Sequence, residues 1–240
     1  MANTALADIF RIKDLRDRIL FTVGVLLIHR LGSTLPIPGI NVTALQSYFL
    51  QQSAQTGLSI TDYLDFFSGG AFTQFSVFML GIMPYISMTI IMQLLLLVFP
   101  KLKKISQEEG GRKRIQRYNR YGTVVLCLIQ GSAVRAYANQ IPNAITMGPG
   151  LYTVVSLLTV TTGTVFLMWL GEQINQRGIG NGISLIIFTG IVARMPRAIW
   201  ILIQAVQDGE LNPVFVIVVL GVFVGVIALV IYEQRGQRKI

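Results

Sequence analysis

The sequence predicts an all-α, polytopic membrane protein built as a helical bundle, and three observations carry that prediction. The mean hydropathy is +0.61. Only 13% of the residues are charged while 52% are hydrophobic, a balance foreign to ordinary globular domains. Finally, six apolar runs approach the ~20 helical residues needed to cross a hydrocarbon core of ~30 Å, and Lys and Arg gather in alternate connections between them.

The first run, Ile19 to Leu35, follows an N-terminal segment, residues 1–18, that carries Arg11, Lys13, Arg16 and Arg18. No small-residue cleavage pattern follows it, so no cleaved signal peptide is expected. His29 and Arg30 lie near its far end, where anchoring or snorkelling is the default role. The next stretch, Asn41 to Gln74, holds no Lys or Arg and therefore belongs outside. Within it, Thr61 to Phe72 reads TDYLDFFSGGAF. Thr61 suits an N-cap and the pair Gly69 and Gly70 a helix stop. A helix this short cannot span the bilayer. It is either re-entrant, lining a cavity open to the outside, or it lies on the outer interface.

The second run, Phe72 to Phe99, is too long for one straight span, and Gly81 and Pro84 predict a break in it. A basic loop follows, with Lys101, Lys103, Lys104, Arg112, Lys113, Arg114, Arg117 and Arg120. The third and fourth runs are Tyr121 to Ala138 and Leu151 to Leu170. The segment Arg177 to Ser184, RGIGNGIS, reads as a tight cytoplasmic turn; it lacks the spacing and the Lys of a phosphate loop. The fifth run starts at Ile183, is interrupted after eleven residues by Arg194, Pro196 and Arg197, and resumes to about Ile203. The sixth runs from Leu211 to Tyr232 and is followed by Arg235, Arg238 and Lys239. The basic bias puts both ends of the chain in the cytoplasm. It also accounts for most of the net charge of +9; a dedicated anionic partner is the alternative.

Catalysis finds little support. Cys127 is the lone cysteine and sits in an apolar run; the single histidine, His29, lies near the opposite face from most serines; Asp62 and Asp65 are neighbours on one interfacial segment rather than on opposed spans. No catalytic set and no metal cluster is expected, and no cofactor. Ile82 and Ile86, and again Ile183 and Ile187, share a helix face at i and i+4. A ring of such side chains can form a dewetting constriction, although packing or lipid contact is the default for isoleucine in a span. Ser87, Thr89, Gln93 and Gln130 are polar within spans, for which interhelical hydrogen bonding is the default.

Several strings taken together resemble the SecY family of bacterial protein-conducting channels: PIPGI at 36–40, FSGG at 67–70, LGIMPYIS at 80–87, FLMWLGEQI at 166–174, RGIGNGIS at 177–184, and the closing YEQRGQRKI. The resemblance spans essentially the whole chain. It implies a channel of two five-helix halves. Residues 19–206 would form the first half, 207–212 an external hinge, and 213–240 the sixth span with the start of a cytoplasmic loop. Thr61, Leu64, Phe67, Ser68, Gly69 and Gly70 would belong to a re-entrant plug. Ile82, Ile86, Ile183 and Ile187 would be this half's share of the pore ring, and Ser87, Gln93 and Gln130 would lie at a lateral gate. Since family members have ten spans, the chain is expected to be a fragment or part of a longer protein.

The implied activity is secretion of unfolded polypeptides across the bacterial cytoplasmic membrane and sideways insertion of apolar segments into it. The implied partners are the SecE and SecG subunits, the motor SecA or a translating ribosome with its RNA, signal sequences and nascent chains, and anionic lipids. Lys101, Lys103, Lys104, Arg112, Lys113, Arg114 and Arg117 would meet the cytoplasmic partner. Two rivals are a secondary solute transporter and a structural membrane scaffold. The transporter would require a buried ionisable residue for coupling, and none is evident at the span centres; the scaffold would leave the re-entrant segment unexplained.

Overall fold

The computed structural model describes residues 12–56, 65, 68–209 and 212–236. Thr61, Asp62, Leu64 and Phe67 lie outside the described residues. The helices, in chain order, are α1 (Lys13–Gly32), α2 (Val42–Thr56), α3 (Met83–Val98), α4 (Pro100–Gln107), α5 (Gly111–Ala138), α6 (Pro149–Arg177), α7 (Gly182–Gln207) and α8 (Pro213–Arg235). The chain divides into two compact units, residues 1–194 and 195–240, with the division inside α7.

Local chemistry explains most of the boundaries. Residues 69–82 form successive turns, so the second apolar run becomes helical only at Met83, with Pro84 in the first turn where its missing N–H costs nothing. The predicted break is therefore a helix start, which Gly81 introduces at φ +56. At the other end Pro100 disfavours a helical conformation at Phe99, which is extended at φ −102, ψ 104, and α4 leaves α3 at 105°. Gly110 at φ +76 then reverses the chain. Gly111 passes so close to the Ile105 carbonyl that a Cβ there would lie 1.9 Å from its oxygen. The basic segment after α3 is thus not a loop: Arg112 to Arg120 are the first turns of α5, which begins ten residues earlier than the apolar run suggested. The missed α2 has a legible signal, since Asn41 Oδ1 accepts from the N–H groups of Thr43 and Ala44 as an N-cap.

Small residues bring the helices of the first unit together. α5 buries Ile115, Asn119, Thr123, Cys127, Gly131, Val134 and Ala138 along one stripe. Gly122 of that helix accepts Met88 of α3, and Gly131 accepts Leu157 of α6. Gly163 of α6 meets the Val77 carbonyl in the turn region. One end of this unit is closed by extended backbone. Val77 N–H donates to Leu35 at 2.9 Å, Ile37 N–H to Phe75 at 2.8 Å, Asn41 N–H to Ala144 at 2.8 Å and Thr146 N–H to Gly39 at 3.0 Å. Beneath this ladder Ile37, Leu45, Phe72, Phe75, Tyr152 and Val160 form an apolar core.

By length and composition, α6 and α7 (mean hydropathy 1.7) and α8 (3.4) suffice to cross a membrane, or four spans if α3 and α4 count as one bent unit. α1 and α5 are helical where spans were expected but are more polar, because their first turns hold Lys13, Asp14, Arg16 and Asp17, or Arg112, Lys113 and Arg114. α7 runs unbroken through Arg194, Pro196 and Arg197, where an interruption was expected. α8 starts at Pro213 with Asn212 Oδ1 capping the Val214 N–H at 3.0 Å.

Candidate functional site

All four isoleucines singled out in the sequence converge. Ile82, the N-cap residue of α3, is 4% exposed within a cluster formed with Val25, Ala71, Phe78, Leu167, Leu170, Ile174 and Ile186; Ile86, Ile183 and Ile187 pack on it half-buried. Two features set their positions. α3 starts where the turns of 69–82 end, and α7 is held at its first residue by RGIGNGIS. There Gly182 N–H donates to Asn175 Oδ1 at 2.7 Å, Asn181 Oδ1 accepts from Ile183 and Ser184, and Ile179 N–H donates to Thr22 of α1 at 3.1 Å. A Cβ on Gly182 would lie 2.1 Å from the Gly171 carbonyl oxygen. The tight turn expected from its glycines is present, docked on both α1 and α6.

Adjacent to this cluster is the helix end at Ser68. Asp65 and Ser68 are helical; Gly69 has φ +67, and Gly70 N–H returns to the Asp65 carbonyl at 3.0 Å. That is a Schellman stop with Gly69 at the left-handed position, as the glycine pair predicted. Asp65 was expected at an interface, yet it is 2% exposed. Its Oδ2 forms an ion pair with Arg194 of α7, and its Oδ1 accepts from the Thr73 N–H at 2.9 Å and the Thr73 hydroxyl at 3.1 Å. Gly69 abuts Gly190, one turn before Arg194 on the same face of α7, with a hypothetical Cβ only 2.7 Å from the Gly190 Cα. Arg30 of α1 donates to the Gly69 carbonyl at 2.9 Å. The helix end is therefore held by two elements.

Several expectations change here. Arg30 anchors on the Gly69 carbonyl, and His29 is 5% exposed with its ring stacked on Phe78 at 6.0 Å. Arg194 lies inside α7 rather than at a break in it. The helices also bury ionisable groups that lie away from the centres of the predicted spans: Asp65 with Arg194, and Glu172 of α6, which is 8% exposed and takes Arg120 of α5 at 2.6 and 3.0 Å and Gln116 at 3.2 Å. The available signal was a carboxylate or guanidinium within an apolar run, which demands a partner.

The seven basic residues expected at a partner surface are all exposed. Lys101, Lys103 and Lys104 come from α4, and Arg112, Lys113, Arg114 and Arg117 from the first turns of α5; the Gly110 turn folds the two groups beside each other. Arg114 reaches Glu108 at 3.4 Å, an exposed pair of little energetic weight. Ser87 and Gln93 lie on α3 and Gln130 on α5. Ser87 and Gln130 are half-buried and Gln93 is exposed. Gly122 and Met88 make one close approach between these two helices.

Comparison with known proteins is consistent across sequence and structure. The family model described as SecY matches residues 76–240. The protein translocase subunit SecY of Borreliella burgdorferi is 54% identical over 214 residues, covering 88% of this chain and 49% of that protein. The Escherichia coli subunit of the same name is 43% identical over 95% of this chain and 51% of its own length. This chain thus spans about half the length of the curated relatives it matches. Among solved structures, Sec61 in the canine ribosome-channel complex from the endoplasmic reticulum aligns with a TM-score of 0.62 at 18% identity, over 94% of this chain and 49% of that one. A structure described as that of a protein conducting channel aligns with a TM-score of 0.60 at 19% identity, over 90% and 47% of the two chains.

Proposed function

The chain belongs to the SecY family, and on that premise we propose that it supplies the N-terminal half of a protein-conducting channel in the bacterial cytoplasmic membrane. The observation that carries the reading is the convergence of Ile82, Ile86, Ile183 and Ile187 beside a helix end pinned at Gly69. In the channel, the half-buried members Ile86, Ile183 and Ile187 face the constriction and Ile82 backs them from the core. Aliphatic side chains seal such a constriction by excluding water and yield to a passing chain because they offer it no hydrogen bonds. The helix end at Ser68, Gly69 and Gly70 belongs to the plug, an assignment that also takes in Thr61, Leu64 and Phe67. Residues 207–212 hinge the two halves on the outside.

The subunit makes and breaks no bond. A translocating segment leaves sideways, past Ser87, Gln93 and Gln130, when it is apolar enough to partition into lipid. Each central Leu, Ile, Phe or Val contributes roughly −0.3 to −0.6 kcal/mol to that step. Energy for secretion comes from SecA or a translating ribosome docking on the basic surface of α4 and α5, with SecE and SecG completing the complex. A ribosomal contact there meets phosphate and weakens with salt. Solute transport is the competing reading, and buried ionisable residues favour it. Among the described residues, however, Asp65 pairs with Arg194 and Thr73, and Glu172 with Arg120 and Gln116, so both buried carboxylates are engaged.

The test is photo-crosslinking in the full-length protein, with a reactive residue at Ile86 or Ile187 and a stalled secretory chain in transit. Adducts at both positions and none at exposed Val218 are expected. Confirmed targeting without adducts would overturn the pore assignment.

A further inference from the structure

The pinned helix end has a feature that sealing alone does not require: a buried carboxylate on one side of the joint, paired with a partly exposed guanidinium on the other. Asp65 retains 2% side-chain exposure and Arg194 retains 35%. Both carboxylate oxygens of Asp65 are engaged, one by Arg194 and the other by the N–H and hydroxyl of Thr73. Gly69 and Gly190 remove the side chains that would hold the two backbones apart and leave the ion pair.

We propose that Asp65 and Arg194 form an electrostatic latch that fixes the helix end against α7 and sets the threshold for its release. The proposal rests on the channel reading, and it adds the group that regulates opening. When the helix end is seated, the pair is formed and shielded. When it withdraws, Asp65 enters water and Arg194, already one-third exposed, is hydrated where it stands. The two partners are unequal, so their removal has unequal effects. Arg194→Gln strands the Asp65 carboxyl group without its partner in a buried site, and the cost of leaving it there unpaired favours withdrawal of the helix end. Asp65→Asn strands a guanidinium that water can reach, a milder penalty. The double variant buries no lone charge, and replacing a whole buried pair by neutral groups is far less harmful than removing one partner.

The measurement is ion leak through proteoliposomes containing the full-length protein in its assembled complex, read beside translocation of a secretory precursor. The expected order of leak is Arg194→Gln above Asp65→Asn, with the double variant below Arg194→Gln. Arg194→Gln should exceed the unaltered protein by about tenfold or more, the factor that 1.4 kcal/mol confers. Arg194→Lys keeps the charge and should stay near the unaltered level. Equal leak in all variants, in complexes that assemble normally and translocate precursor, overturns the latch while leaving the channel standing. A double variant as leaky as the sum of the singles also overturns it, because independent packing defects add. Failure of the unaltered protein to translocate precursor would instead defeat the channel reading, and with it the latch.

Discussion

Glu172 and Arg120 allow a quantitative test of how the end of the bundle next to the basic helices is held. Glu172 Oε2 accepts from Arg120 Nη2 at 2.6 Å, and Oε1 accepts from Arg120 Nε at 3.0 Å and Gln116 Nε2 at 3.2 Å. The side chains are 10% exposed for Glu172 and 46% for Arg120, so the two single truncations differ. Arg120→Ala leaves a carboxylate with one donor and little water; removing one partner of a buried pair costs ~3–5 kcal/mol, and the surviving Gln116 bond puts this case at about 3. Glu172→Gln leaves a guanidinium that is nearly half in solvent and can rehydrate, so its cost falls to about 1 kcal/mol. The difference of about 2 kcal/mol corresponds to roughly 30-fold in the unfolding equilibrium. Cys127 offers a reporter, since it is the single cysteine of the 240 residues and is fully buried. In a full-length protein with any other cysteines replaced, reaction of Cys127 with a fluorogenic maleimide during heating in detergent follows unfolding. Equal destabilisation by Glu172→Gln and Arg120→Ala would refute the argument that exposure sets the cost.

Two further predictions use the same scale. Gly182→Ala should destabilise by about 1–3 kcal/mol in that thiol assay, because the new Cβ would meet the rigid Gly171 carbonyl; Gly24→Ala on α1 meets nothing within 4 Å and should be neutral or stabilising by about 0.5–1 kcal/mol. Replacing Lys101, Lys103, Lys104, Arg112 and Lys113 together by Gln should change stability by no more than about 0.5 kcal/mol for each residue replaced, since all are exposed. The same change should weaken ribosome binding and flatten its salt dependence, as measured by co-sedimentation across a salt series; an unchanged salt slope would remove these helices from the contact.

Features that follow from local chemistry were legible in the sequence. Hydropathy located α6, α7 and α8 because the lipid core imposes a length and an apolar composition on any helix that crosses it. Gly69 and Gly70 announced a helix stop, Gly81 and Pro84 a break, and RGIGNGIS a tight turn, because left-handed φ values and a missing N–H act within a few residues. The pairing of isoleucines at i and i+4 placed each pair on one face, and the family resemblance joined the two pairs.

What only the tertiary structure decided is which distant groups meet. Asp65 finds Arg194, Arg120 finds Glu172 across 52 positions, and Arg30 finds a carbonyl 39 residues away. Periodicity assigns a charge to a helix face but not to the neighbour that the face will meet. That neighbour is chosen by close approach at Gly69 and Gly190, at Gly182 and Gly171, and at Gly122 and Met88. Ile82 became a core residue and His29 a stacked one for the same reason: burial belongs to packed helices, and a single helix read alone does not contain it.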